Sequence, residues 1–118
     1  MSENRWQDIF LHLKKEGFDV YSPGIKLGEC ESEYLVVKKE GLSRVAGKRA
    51  NADNYSVLCY VPKQKYSSLE SLVNRVKKSM DKLNPLIRST NFETPSFYDD
   101  SLKAHMVSIE YVNYKKSY

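Results

Sequence analysis

The stretch NYSVLCYVPKQKYSSLESLVNRVKKSMDKLNP, residues 54–85, changes its hydrophobic period halfway along. In its first part Tyr55, Val57, Cys59 and Val61 alternate with Ser56, Leu58 and Tyr60. Successive side chains of a strand point to opposite faces, and here both sets are mostly apolar or aromatic. The pattern predicts a central strand over Asn54–Pro62, covered on both sides. From Ser67 the period lengthens. Leu69, Leu72, Val73, Val76, Met80 and Leu83 fall on one stripe of about four helical turns. Ser67 and Glu70 have the spacing of a capping box, in which each side chain bonds the other's backbone N–H. Asn84-Pro85 ends the helix, because the residue before proline disfavours helical torsions. Arg75, Lys77, Lys78 and Lys82 share the opposite face, which reads as a solvated surface.

Upstream, Trp6, Ile9, Phe10 and Leu13 recur at i, i+3, i+4 and i+7 and predict a first helix over Glu3–Glu16. Lys14 and Lys15 complement the dipole at its C-terminal end, and Gly17 supplies a left-handed cap. FDVYSPG reads as a short extended piece stopped by Pro23-Gly24. Ser32–Lys39 reads as a strand from its Leu, Val and Tyr content. Between it and the strand at Asn54 lies EGLSRVAGKRANAD, Glu40–Asp53, too long for a tight turn and without an aromatic residue. It is expected to be a long flexible loop. Downstream, LKAHMVSIEYVNYKK alternates again: His105, Val107, Ile109 and Tyr111 on one face, Met106, Ser108, Glu110 and Val112 on the other. The expected fold is α+β in one domain over residues 1–118, a mostly antiparallel sheet of about four strands with two helices packed on one face. The expected core is Trp6, Ile9, Phe10, Leu13, Leu35, Val37, Val57, Cys59, Leu69, Leu72, Val73, Val76, Met80, Val107 and Ile109.

The 118 residues suit one domain, and the 41% apolar fraction suits a folded one. No apolar run reaches membrane-spanning length, and the N-terminus lacks the continuous apolar segment of a signal peptide. Cys30 and Cys59 have no metal-type spacing and read as reduced packing residues. The net charge of +4 suits an acidic partner, nucleic acid or protein. RRM, KH and helix-turn-helix signatures are absent, so no specific nucleic-acid contact is expected.

NFETPSFYDDSLKAHM, residues 91–106, gathers Glu93, Asp99, Asp100 and His105. A metal centre needs three or four converging ligands, and the two histidines, His12 and His105, lie on different elements. An acid–base pair needs a buried pocket, whereas this stretch is rich in turn residues. P-loop, nucleophile-elbow and dinucleotide motifs are missing. Asp99-Asp100 therefore read as turn chemistry, with short carboxylates bonding their own backbone. His105 reads as a hydrogen-bonded strand residue at the edge of the core. No catalytic residue, metal or cofactor is expected.

Three stretches also carry a resemblance: IFLHLKKEGFDVYSPGIKLGECESEYLVVK (9–38), VLCYVPKQKYSSLESLVNRVKKSM (57–80) and NFETPSFYDDSLKAHMVSIEYVNYKK (91–116). Together they resemble the tail terminator proteins of prophages and phage-like tail particles of Gram-positive bacteria, also described as tail-to-head joining or tail completion proteins. The resemblance implies an α+β structural subunit that forms a hexameric ring. Such a ring caps the tail tube, ends its polymerisation and offers a docking face to the head connector. It implies no enzymatic activity and no cofactor. The implied partners are other copies of the chain, the tail tube or sheath protein and the head–tail connector protein. The implied location is the host cytoplasm during assembly and then the head-proximal end of the virion tail. The competing reading is a small basic nucleic-acid-binding protein.

A head-to-tail ring needs two different patches on each subunit. The sequence offers a basic one with Arg44, Lys48 and Arg49, and an acidic, aromatic one with Phe97, Tyr98, Asp99 and Asp100.

Overall fold

The computed structural model describes residues 5–44 and 50–116. Helix α1 spans Trp6–Lys15 and buries Ile9 and Leu13. Its first turn is pinned to the sheet by Trp6, whose Nε1 donates to Val37 O at 2.6 Å. It ends as expected at Gly17, which has φ 98°, a region costly for any residue with a Cβ. The strands are β1 (Val20–Tyr21), β2 (Tyr34–Arg44), β3 (Ala50–Pro62), β4 (Arg88–Glu93), β5 (Phe97–Asp99) and β6 (Ala104–Lys116). Helix α2, Leu69–Met80, follows β3 through a 3-10 segment at Lys63–Ser68.

The strand order is β1-β2-β3-β6-β4, with β5 also paired to β6. All pairings are antiparallel except β1 with β2. The α+β class with two helices and a mostly antiparallel sheet is thus as expected, but the sheet has six strands rather than about four. The additional strands are short or polar: β5 has three residues and every residue of β4 is exposed, while β1, two residues long, lies within the extended piece expected at FDVYSPG.

The expected loop over residues 40–53 is also corrected at both ends. After a bulge between Lys39 and Gly41, the ladder resumes, and Gly41–Arg44 pair with Asn54–Asn51. Gly41 has φ 138°, which favours glycine at the bulge. Low-propensity residues hold strand geometry here because β6 pairs with β3 without interruption from Ala50↔Lys116 to Pro62↔Ala104. Strand content at this point is set by tertiary pairing, not by local preference. Residues 45–49, including Lys48 and Arg49, lie outside the described residues.

Both helices cover one face of the sheet. Ile9 and Leu13 of α1 and Leu69, Leu72, Val73, Val76 and Met80 of α2 share a cluster with Val57, Cys59, Val107 and Ile109. Trp6 and Phe10 pack against it partly buried, so the expected core residues do meet, joined by Tyr55, Ile87 and Tyr111. A second cluster lies on the other face, where Tyr34 stacks on Tyr60 at 4.8 Å beside Ala104, Met106 and Cys30. Cys30 reaches it from the segment between β1 and β2, its N–H donating to Leu102 O at 2.7 Å.

The capping box does not form. Ser67, the expected capping residue, lies inside the 3-10 segment Lys63–Ser68, and Ser68, which does precede α2, has φ −88°, ψ −6° where a capping residue holds an extended conformation. The Ser68 hydroxyl donates to Lys65 O at 2.7 Å instead.

Candidate assembly surface

Strand β5 and the turn after it carry the acidic, aromatic patch. Asp99 Oδ1 accepts from Ser101 Oγ at 2.7 Å, Ser101 N–H at 3.0 Å and Leu102 N–H at 3.2 Å. The Ser101 hydroxyl, helped by these backbone donors, holds the Asp99 carboxyl below its ordinary range. Asp99 therefore builds the turn, as its sequence setting suggests. Asp100 faces water and pairs with Lys103 at 3.4 Å, an ion pair that raises the ammonium's pKa. Phe97 is about half exposed, at 49%. Tyr98 is half-buried, and its hydroxyl is buried with no hydrogen-bond partner among the described residues.

His105 lies opposite Tyr98 in the ladder. Its ring packs between Tyr98 and Tyr66, with centroids at 5.1 and 4.7 Å. Its Nε2 is 3.0 Å from Lys63 O, and a carbonyl oxygen only accepts, so that nitrogen carries a proton. The strand reading of His105 fits this geometry. Glu93 lies elsewhere, in an ion pair with Lys77. Among the described residues no three His, Cys, Asp or Glu side chains converge as metal ligands.

The structure separates Arg44, the described residue of the basic patch, from the acidic, aromatic one. Arg44 ends the described part of β2, opposite Asn51. Strand β5 pairs with the first residues of β6, Ala104–Met106. The β3–β6 ladder from Ala50↔Lys116 to Pro62↔Ala104 lies between them, about 40 Å at roughly 3.3 Å per residue. The long dimension of the molecule is 49 Å.

The basic face of α2 is largely neutralised in place. Arg75 makes two 3.1 Å bonds to the Glu33 carboxylate, Lys77 pairs with Glu93, and Lys82 pairs with Glu16 at 2.8 Å. The Lys82 ammonium and the Ser79 hydroxyl hold the Glu16 carboxyl below its ordinary range. Beside them His12 Nε2 lies 3.2 Å from Ser79 Oγ, a spacing reminiscent of a nucleophile and its base. The same nitrogen is 2.8 Å from Ser79 O, so it donates its proton there and has no lone pair for the hydroxyl. Ser79 Oγ donates to Glu16 Oε1 at 3.0 Å. The group is a polar strap between α1 and α2.

Both cysteines are free and buried, and burial pushes the Cys59 thiol up to about 12. No helix of the described residues is long and apolar enough to cross a membrane. Sequence reasoning passed over one exposed feature, the segment after β1, where Ile25 and Leu27 are 64% and 78% exposed. The available signal was a pair of aliphatic residues between two glycines, Gly24 and Gly28. No protein-family model matches the chain, and no curated protein matches it.

Proposed function

We propose that the chain is a structural subunit of a phage tail, forming a closed ring that caps the tail tube, ends its polymerisation and presents a docking face to the head connector. The reading rests on the resemblance of residues 9–38, 57–80 and 91–116. One structural observation supports it most: the acidic, aromatic β5 turn and the Arg44 end of the sheet lie at opposite ends of the longest ladder. Arg44 and the acidic turn, so far apart, cannot satisfy one another within a subunit, and head-to-tail rings are built from two dissimilar patches. Exposed charge pairs contribute about 0–1 kcal/mol each, so they select the register. Phe97 and Tyr98 supply the apolar contact. The free chain is then a weak associator that closes its ring on the tube. The reading as a nucleic-acid-binding protein is less well supported, because Arg75 and Lys77 of α2 and Lys82 just after it are already paired with carboxylates.

The test is the double variant Phe97→Ala/Tyr98→Ala, produced in cells assembling tails. The expected result is a folded protein, tails of uncontrolled length and few joined heads. Tails of normal length joined to heads would remove this turn from the interface.

A further inference from the structure

The segment between β1 and β2 inverts the usual arrangement of an exposed loop. Lys26 is folded back, its ammonium 5.6 Å from the ring centroids of both Tyr21 and Tyr34. Its neighbours Ile25 and Leu27 project into water, the most exposed large apolar side chains among the described residues. Gly24 at φ 82° and Gly28 at φ 85° provide the left-handed turns on either side. A loop built only for solubility places its lysine outward and its aliphatics inward. This one presents an apolar tip and fixes it with a cation–π clamp. Glu29 and Glu31 follow the tip, exposed and without an ion pair among the described residues, although Lys103 lies near enough to Glu29 for their charges to interact.

The complementary feature lies at the diagonally opposite corner of the sheet. Pro85, Leu86, Arg88 and Asn113 line an open cleft of about 500 Å³. Leu86 is 40% exposed. Its carbonyl accepts from Asn113 Nδ2 at 2.8 Å, and Arg88 Nε donates to Pro85 O at 3.3 Å, so the cleft walls are braced. No carboxylate of the described residues pairs with Arg88. The cleft offers the apolar surface of Pro85 and Leu86 beside a cation, and the tip is apolar with two anions after it. Lys26 sits over β1 and β2 at the Tyr34↔Tyr60↔Met106 row. Arg88 sits on β4, opposite Val112. The two are four strand spacings apart across the sheet, roughly 19 Å, and about 20 Å apart along β6. One copy cannot fill its own cleft.

We propose that the Ser22–Glu29 loop of one copy inserts Ile25 and Leu27 into the Pro85–Arg88 cleft of a second copy, with Glu29 and Glu31 facing Arg88. This names a contact within the head-to-tail reading given above and rests on it. The test is sedimentation velocity of the purified chain up to about 1 mM. It compares the wild type with Leu27→Asp, Arg88→Glu and the charge exchange Glu29→Arg/Glu31→Arg/Arg88→Glu. The wild type is expected to associate with rising concentration. Each of the first two variants is expected to weaken association about tenfold with an unchanged melting temperature, and the charge exchange to restore it. A photo-crosslinker at position 27, in a mixture of isotopically light and heavy chains, is expected to join light to heavy copies at residues 85–88. A wild type that stays monomeric, variants that associate like the wild type, or crosslinks elsewhere would overturn the proposal. If association survives the variants, a head-to-tail ring stands and only this contact falls.

Discussion

Truncating Leu72 tests the layer that α2 builds over the sheet. Leu72 is 1% exposed and belongs to the main core cluster with Val57, Cys59 and Ile109. Leu72→Ala removes three carbons from a dry site. Transfer alone accounts for about 2.4 kcal/mol at roughly 0.8 kcal/mol per methylene. The cavity adds to that, because α2 is tied to α1 through Ser79 and to β4 through Lys77–Glu93 and cannot slide inward freely. The expected loss is about 3–4 kcal/mol. With a urea m-value of roughly 1.5–2 kcal/mol/M, the unfolding midpoint falls by about 2 M. Leu11→Ala is the control: Leu11 is 53% exposed on α1, and its loss should stay within about 0.5 kcal/mol. A midpoint shift for Leu72→Ala no larger than that of Leu11→Ala would refute the placement of α2.

Three further outcomes follow from single groups. Tyr98→Phe removes a buried hydroxyl that has no hydrogen-bond partner among the described residues, so it should raise stability by about 1 kcal/mol in chemical denaturation, and a loss would show that the hydroxyl is bonded. The Glu16 carboxyl is held low by Lys82 and Ser79, so its contribution is present above the ordinary glutamate pKa of about 4.3 and is lost as pH falls through its folded value. The difference in melting temperature between wild type and Glu16→Gln should accordingly be largest near neutral pH and shrink as pH falls below the ordinary glutamate range, whereas a constant difference would mean that no charge is involved. Burial raises the pKa of both thiols, so an aromatic disulfide reagent at about pH 8 should modify Cys30 and Cys59 only on unfolding, and prompt reaction of the native protein would contradict their packing.

The parts of the fold legible in the sequence are those whose side chains meet the core. α1, α2, β3 and the inward row of β6 each carry a periodic apolar set, and each lies where its period placed it. β4 was not legible, since all six of its residues are exposed and its strand geometry comes from pairing with β6. The extension of β2 and β3 through Gly41–Arg44 and Ala50–Asp53 was hidden for the same reason. Its residues have weak strand propensity, and the partner that stabilises them lies some sixty positions downstream. The capping box failed because the pattern fixes a spacing, while the turn ahead of α2 fixes the backbone. At the site, the role of Asp99 was legible because an Asx turn is local chemistry. The opposite placement of Arg44 and β5 was not, because it depends on the length of a ladder that the sequence did not reveal.

The most direct test of the capping role is electron microscopy of purified tail tubes polymerising with and without the wild-type chain. A closed ring at one end of each tube, with elongation arrested at that end, is the predicted result. Tubes that lengthen equally in both cases and show no added density at either end would contradict it.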